Sequence, residues 1–553
     1  MIFSGVLDLL SLGLIAPYIS AIFDINQTQK YIFFFDLENY EKNELIFYFT
    51  IFLIFIFFIK TFLSIFTRWL IALFAHKYFA VLQVKLMDAY QNMNYQDYIL
   101  RPSSEYIRNV RELCSECLDN IDHTLRVLSE FIIFLVIIIF LTITNYQIVF
   151  LVVLITLPIF LIYEKLLKPI NAKLGIIKNE STKQMYKNID TGIKGLKEIK
   201  VLTKQNFFLK RLSYFADKIY QTQKKSILIS DSPRYIYEFF MVSLALVTIL
   251  IVYKSAVDPS IFLPTLGVFI FAGLRLLPTI ASITSSLSRI EYGQNAVKIV
   301  YEDLKKYSTS SKLCQNKTNS RIETFENLII KDVSFTYKNS NFQVLNKVNF
   351  NLKKNECIGI IGESGVGKTT FVDLILGLLK PDEGQILLNN KNISDTSNFN
   401  MNNVAYLPQD PIILDEKINL NISLEEDKNL ISKDNLNNSM IKANFDKIAY
   451  DLPNKIETAI GENGVRLSGG QNKRLALARA FYFGKQIIIM DEATSSLDIE
   501  NENYIAEQLK QLKRKLTIII ISHHKNILKH CDKIYKIENK KLNLLKEEKL
   551  IQE

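Results

Sequence analysis

Six apolar runs constrain this chain more than any other feature. Residues 1–23, about 44–75, 128–144, 146–167, 236–253 and 261–288 are each long enough to cross roughly 30 Å of hydrocarbon at about 1.5 Å per residue. The first run carries Asp8 but no basic leader and no small-residue cleavage site, so it reads as a span and not as a signal peptide. The third and fourth runs are separated by little more than Thr144, Asn145 and Tyr146 and read as a tight hairpin. The 37 Phe and a mean hydropathy of +0.12 fit a chain in which apolar residues are concentrated in one region. Five cysteines, an odd number scattered over 553 residues, exclude the disulfide framework of a small secreted domain. Cys114-Ser115-Glu116-Cys117 has no second pair nearby to complete a zinc site and reads as helical filler.

The loops give the orientation. Lys168 to Arg234 holds fifteen Lys or Arg against five acidic residues, whereas Ile25 to Asn43 holds only Lys30 and Lys42. Basic residues stay on the cytoplasmic side, and His76 to Arg126, two spans away, also carries Lys77, Lys85, Arg101, Arg108 and Arg111. Six spans then return the C-terminus to the cytoplasm. Both cytoplasmic loops exceed fifty residues and contain few glycines, so the spans are expected to continue below the membrane as long helices. The excess of 66 basic over 56 acidic residues is thereby absorbed by membrane-proximal loops, and no nucleic-acid module is evident.

Ionisable groups inside spans are costly and point to polar cavities. Asp8, Lys60, Arg68, Arg275 and Arg289 qualify. Arg68 and Arg289 lie near the interface, where a basic side chain reaches the headgroups. Lys60 and Arg275 fall in the cytoplasmic half of their helices, and each either snorkels or lines a cavity; Arg275 is the better cavity candidate. The polar stretch from Tyr307 to Ser320 lacks apolar periodicity and reads as a linker. The division expected is 1–306 for the membrane domain, 307–320 for the linker and 321–553 for a soluble domain.

In that second half, the strand-like Cys357 to Ile361 runs into Gly362-Glu363-Ser364-Gly365-Val366-Gly367-Lys368-Thr369, followed by the helical run Thr370 to Leu379. This is a phosphate-binding loop in its proper context. Glycines let backbone N–H groups curl around phosphates, Lys368 neutralises their charge, Thr369 offers a hydroxyl to Mg²⁺, and the helix N-terminus adds its dipole. A second apolar strand, Ile487 to Met490, ends in Asp491-Glu492, one carboxylate to hold the metal and one to orient or deprotonate water.

Between these motifs, Leu467-Ser468-Gly469-Gly470-Gln471 resembles the signature of ATP-binding-cassette proteins. Gln409 in Tyr406-Leu407-Pro408-Gln409, Ser495-Ser496-Leu497-Asp498 and His523 fall in the family's order, and Tyr337 matches the aromatic that stacks on adenine. The resemblance implies a multidomain fold, an all-α six-helix transmembrane domain of exporter type followed by an α/β P-loop cassette domain. It implies ATP and Mg²⁺ as ligands, with Thr369, Gln409 and Asp491 at the metal and Glu492 as general base. His523 would contact the γ-phosphate, while Ser468 and Gly470 of one chain would close on the nucleotide held by Lys368 of an identical second chain. One cassette after six spans resembles a half-transporter, whose cytoplasmic loops carry coupling helices near 95–107 and 192–203, with Gln409 where the cassette meets them.

A finer resemblance is to bacterial lipid-linked oligosaccharide flippases of the PglK type. Its strings are Ile193-Lys194-Gly195-Leu196-Lys197-Glu198-Ile199-Lys200, Pro233-Arg234 and Arg275-Leu276-Leu277-Pro278. It implies a polyprenyl-diphosphate oligosaccharide as cargo in the bacterial cytoplasmic membrane. A diphosphate needs cations near the membrane, and Lys60, Arg234 and Arg275 could supply them; Arg234 is equally an interfacial anchor. The segment from about Gln27 to Tyr40 resembles the flippases' outer amphipathic helix, or is a plain interfacial loop. Two departures stand out. The chain opens almost inside its first span, which raises the expectation of residues ahead of Met1, and Ser282 stands where relatives often place another arginine. Two other readings stay open: an exporter of another lipid, peptide or drug, and a membrane-tethered ATPase acting on a partner or on nucleic acid.

Overall fold

The computed structural model describes Tyr18 and residues 42–144, 146–254, 259–315, 324–338, 340–392, 404–461, 464–491, 515–522 and 525–545. The first expected span, the 27–40 segment, Glu492, residues 495–498 and His523 lie outside the described residues, as does the side chain of Arg275. Contacts divide the chain into two compact units, Met1–Met93 with Leu100–Ser311, and Asn94–Ile99 with Lys312–Glu553.

The first unit is helical. Helix α1 (Lys42–Gln91) runs for 50 residues without Gly or Pro. At about 1.5 Å per residue it is more than twice as long as the hydrocarbon is thick, so it must continue beyond a bilayer. A short helix, α2 (Tyr95–Ile99), follows it in the chain but belongs to the second unit, and then α3 (Ser103–Arg108) continues through a π-helical turn, Asn109–Leu113, into α4 (Cys114–Thr144). Next come α5 (Tyr146–Ile162), α6 (Lys168–Lys194), the six-residue α7 (Leu196–Val201), α8 (Gln205–Lys254) and α9 (Pro259–Gln315). The short helices α2 and α7 interrupt the long ones within the two loops expected on the cytoplasmic side, in the stretches 95–107 and 192–203.

Two apolar clusters hold these helices together. Ile133, Ile137, Leu141, Val152, Met241 and Leu276 join α4, α5, α8 and α9. Leu82, Leu86, Tyr90, Tyr106, Leu113, Cys117, Val300 and Tyr307 join the far ends of α1 and α9 to α3 and α4. There Asp303 accepts hydrogen bonds from Tyr90 Oη at 2.6 Å and Arg101 Nη1 at 3.0 Å, so the buried carboxylate is paired. Gly175 lets α6 approach the α9 backbone so closely that any Cβ would collide with the Tyr292 carbonyl. The outer surface is apolar as well: Phe58 is 71% and Ile143 81% exposed. Such a surface is anomalous in water and normal against lipid.

Among the described residues, Ile46–Gln91 and Ser103–Ile143 are the stretches long and apolar enough to cross a bilayer by length and composition. The runs expected at 146–167, 236–253 and 261–288 fall on α5 with its π-helical end, on α8 and on α9. The segment expected as a linker differs from expectation over 307–315, where α9 simply continues. Tyr307 explains this: it is 2% exposed and packs edge-on against Tyr90 with ring centroids 6.3 Å apart, holding the helix in register beyond the last apolar run.

The second unit is α/β. A four-stranded antiparallel sheet has the order β2-β1-β4-β5, with β1 Asn327–Thr336, β2 Gln343–Lys353, β4 Glu383–Leu388 and β5 Lys391–Asn392. A six-stranded sheet has the order β10-β9-β3-β8-β7-β6, with β3 Cys357–Ile361, β6 Val404–Leu407, β7 Ile487–Asp491, β8 Thr517–Ile521, β9 Lys533–Glu538 and β10 Lys541–Leu544. Strands β9, β3, β8, β7 and β6 are parallel. They are continuous apolar runs because both faces of a parallel sheet are covered; all five residues of β8 are buried. The helices that matter below are α10 (Lys368–Ile375) and α11 (Gly469–Tyr482).

Candidate nucleotide site

The site is built at the C-terminal ends of β3 and β7, which flank β8, where open parallel sheets present their ligand crevice. Residues 362–367 turn from β3 into α10, and the turn depends on its glycines. Gly367, the N-cap of α10, has φ +109°, and an added Cβ would come within 2.8 Å of Val344 Cγ1. Lys368 is buried and donates from Nζ to the carbonyls of Gly362 at 2.6 Å and Glu363 at 3.1 Å, so the ammonium is held over the mouth of the loop. Glu363, Ser364, Gly365 and Thr369 are exposed and Val366 is half-buried. The next residue, Thr370, is buried, and its Oγ1 lies 3.0 Å from Tyr337 Oη. That bond places Tyr337 beside the start of α10, with its ring edge-on to Phe335.

Asp491 ends β7 and accepts a hydrogen bond from Tyr406 Oη at 3.0 Å. Burial, and then the Asp491 charge, push the Tyr406 phenol up. The same two causes push the Asp373 carboxyl up to about 7. Asp491 is a hard oxygen donor suited to a divalent cation of the Mg²⁺ type, and among the described residues no group of three or more His, Cys, Asp or Glu side chains gathers to hold one. Tyr95, which belongs to this unit with the rest of α2, packs at the edge of the same core, and burial followed by the Asp373 charge raises its phenol. Neither Asp373 nor Tyr406 was singled out from the sequence. Tyr406 sits three residues before Gln409, and only the pairing of β6 with β7 brings its hydroxyl to Asp491.

Gln409 is exposed, two residues beyond β6. Ser468 caps α11 in a reciprocal box: its Oγ accepts from the Gln471 N–H at 3.3 Å, and Gln471 Oε1 accepts from the Ser468 N–H at 2.8 Å. Ser468 and Gly469 are exposed and Gly470 is half-buried, so the signature stands open at the surface.

The expected cargo cations form no cluster among the described side chains. Lys60 is half-buried on α1 with its Nζ 5.1 Å from the Phe57 ring centre, and Arg234 is exposed on α8. Arg289 pairs with Asp231 at 3.6 Å. Beside Arg234, Pro233 lines an apolar hollow of about 370 Å³ between α5 and α8, with Leu154, Pro158, Ile162, Tyr163 and Phe240.

A long-helix unit with a lipid-like exterior, followed by a parallel-sheet unit with a phosphate loop and a signature helix, defines a membrane protein that carries a nucleotide-binding domain. The comparisons with known proteins agree. Residues 1–270 match the family model for the ABC transporter transmembrane region and residues 345–495 the one described as ABC transporter. The chain has the two-part ABC exporter fold, a transmembrane region followed by a nucleotide-binding domain. Over 358 residues it is 28% identical to an ATP-dependent lipid A-core flippase of Wigglesworthia glossinidia brevipalpis, covering 64% of this chain and 60% of that one. Over 211 residues it is 36% identical to a putative multidrug export ATP-binding/permease protein of Staphylococcus aureus, covering 38% of this chain and 36% of the relative. The alignments therefore span less than two thirds of either relative. In three dimensions it resembles a bacterial Atm1-family ABC exporter with ATP bound at a TM-score of 0.77, with 17% identity over 98% of this chain and 94% of the other.

Proposed function

We propose that the chain is one half of a homodimeric, ATP-driven exporter in the bacterial cytoplasmic membrane, and that its cargo is a polyprenyl-diphosphate-linked oligosaccharide. The observation that carries the ATP-driven part is the β3–loop–α10 cradle, with Lys368 held over its mouth and Asp491 at the end of β7, on the far side of β8. In this reading the loop N–H groups and Lys368 bind the phosphates, and Tyr337 stacks on the adenine. Thr369, Gln409 and Asp491 would hold Mg²⁺, which neutralises phosphate charge when bound. Glu492 takes a proton from the attacking water, and His523 donates to the γ-phosphate. Ser468 and Gly470 reach the nucleotide of the second chain, consistent with the exposure of Ser468 here. Closure would pull on the short helices α2 and α7 and drive alternating access in the helical unit.

The lipid-linked cargo is supported by the lipid A-core flippase among the relatives and by the apolar hollow beside Arg234, which suits a hydrocarbon tail. Lys60, Arg234 and Arg275 are proposed to meet the diphosphate. The multidrug export relative favours a second reading, an exporter of another lipid, peptide or drug. Reconstitution in liposomes tests both, with a labelled polyprenyl-diphosphate glycan and Glu492→Gln as the blank. Movement between leaflets that requires ATP and is lost in the blank supports the flippase. Hydrolysis without movement sinks the diphosphate-linked cargo in favour of the second reading, and movement undiminished by Arg275→Ala removes Arg275 from the residues that meet the diphosphate.

A further inference from the structure

Two cysteines 174 residues apart meet beneath the phosphate loop. Cys357 opens β3, the strand whose other end becomes the loop, and Cys531 closes the connection that carries the chain from β8 across β3 to β9. Their Sγ atoms are 3.7 Å apart. The backbones on either side are locked together. The Cys357 N–H donates to Asp532 Oδ2 at 2.9 Å, and the Asp532 N–H donates to the Cys357 carbonyl at 2.7 Å. The β3–β9 register pairs Ile358 with Lys533, which sets Cys531 one residue off the position facing Cys357. The sulfurs, already 3.7 Å apart, have about 1.7 Å to close to reach a disulfide bond of about 2.05 Å. Cys357 is buried and Cys531 is partly exposed, so one thiol is open to a small oxidant and the other is held beside it to resolve the product.

We propose that Cys357 and Cys531 are a thiol-oxidation site that closes to a reversible disulfide when the protein meets a peroxide. The Cys531 thiolate attacks one peroxide oxygen, breaking the O–O bond; the sulfur becomes a sulfenic acid, and hydroxide leaves and takes up the thiol's proton as water. The Cys357 thiolate then attacks that sulfur and expels a second hydroxide, which takes up the Cys357 proton. Two thiols lose two electrons, and one peroxide becomes two waters. A reducing cytosol keeps the pair open, so the bond forms under oxidant challenge and is undone by a dithiol. Once formed, it staples the end of the β8–β9 connection to the base of the strand that carries the nucleotide loop.

The test uses the full-length wild-type protein, folded in detergent at pH 8, treated with millimolar hydrogen peroxide, alkylated and digested without reduction. The expected result is a linked peptide pair containing Cys357 and Cys531, absent before peroxide and removed by dithiothreitol, with backbone amide exchange over 525–532 slowed several-fold in the oxidised protein. Thiols that remain alkylatable, sulfinic acid without the linked pair, or a pair that appears only after denaturation would overturn the proposal. Unchanged exchange in the linked protein would overturn the staple. Cys531→Ser should leave Cys357 without a partner and abolish the linked peptide.

Discussion

The Asp373 carboxyl, 5% exposed in α10 and near Asp491, is pushed up to about 7, whereas an unfolded aspartate titrates near 3.9. Between about pH 4 and pH 7 the folded chain therefore holds a proton that the unfolded chain has lost. Stability falls as pH rises through that window and stays lowered above it, by roughly 4 kcal/mol at most on linkage arithmetic. Asp373→Asn keeps the shape and removes the ionisation. In nucleotide-free protein with EDTA, the variant should melt higher than wild type at pH 8, and the advantage should shrink toward zero as pH approaches 4. Equal melting at every pH would show that Asp373 is already neutralised by another group. Tyr406, by contrast, donates to Asp491 and holds that carboxylate in one orientation ahead of any metal.

At the scale of elements, helix α11 begins with a capping box whose serine is also the signature serine proposed to meet the partner's nucleotide. The two roles separate by substitution. Ser468→Ala loses the cap and should cost about 1 kcal/mol of cassette stability. Ser468→Asp keeps an N-cap oxygen and stability within roughly 0.5 kcal/mol, yet it sets a carboxylate where a γ-phosphate would arrive. Thermal melts and ATP turnover on both variants read the difference: turnover lost in Ser468→Asp with stability kept assigns the nucleotide role, and turnover kept refutes it. These elements were legible in the sequence to unequal degrees. Strands β3, β7 and β8 announce themselves as short apolar runs because both faces are buried, and the loop 362–369 can be read from Gly362, Gly367, Lys368 and Thr369 because phosphate binding dictates those four. The extension of α9 as far as Gln315 was not legible, because one buried Tyr307 among polar residues carries the packing that keeps it helical. The Tyr406–Asp491 bond and the Cys357–Cys531 contact were hidden for a different reason. They join residues 85 and 174 positions apart, and only strand order brings them together.

At the scale of the whole molecule, the proposal of a homodimer makes each nucleotide site composite, with Lys368 from one chain and Ser468 from the other. A two-fold arrangement has a consequence that a site built from one chain cannot imitate. Lys368→Ala and Ser468→Ala homodimers should each be inactive, since both of their sites carry a defect. In a mixed dimer the two defects fall in the same site. The other site then combines the intact Lys368 of one chain with the intact Ser468 of its partner. Co-expressing the two variants in equal amounts should make about half of the dimers mixed, each with one sound site, and restore up to about a quarter of wild-type ATP turnover if the sites act independently. Tandem affinity tags, one on each variant, isolate the mixed dimers and raise the recovery toward about half. Turnover absent from tagged mixed dimers would mean either that each chain completes its own site or that both sites must fire together. Nucleotide trapping separates these outcomes, because a composite sound site still occludes one ATP per mixed dimer, whereas two single-chain sites, each bearing its own defect, occlude none.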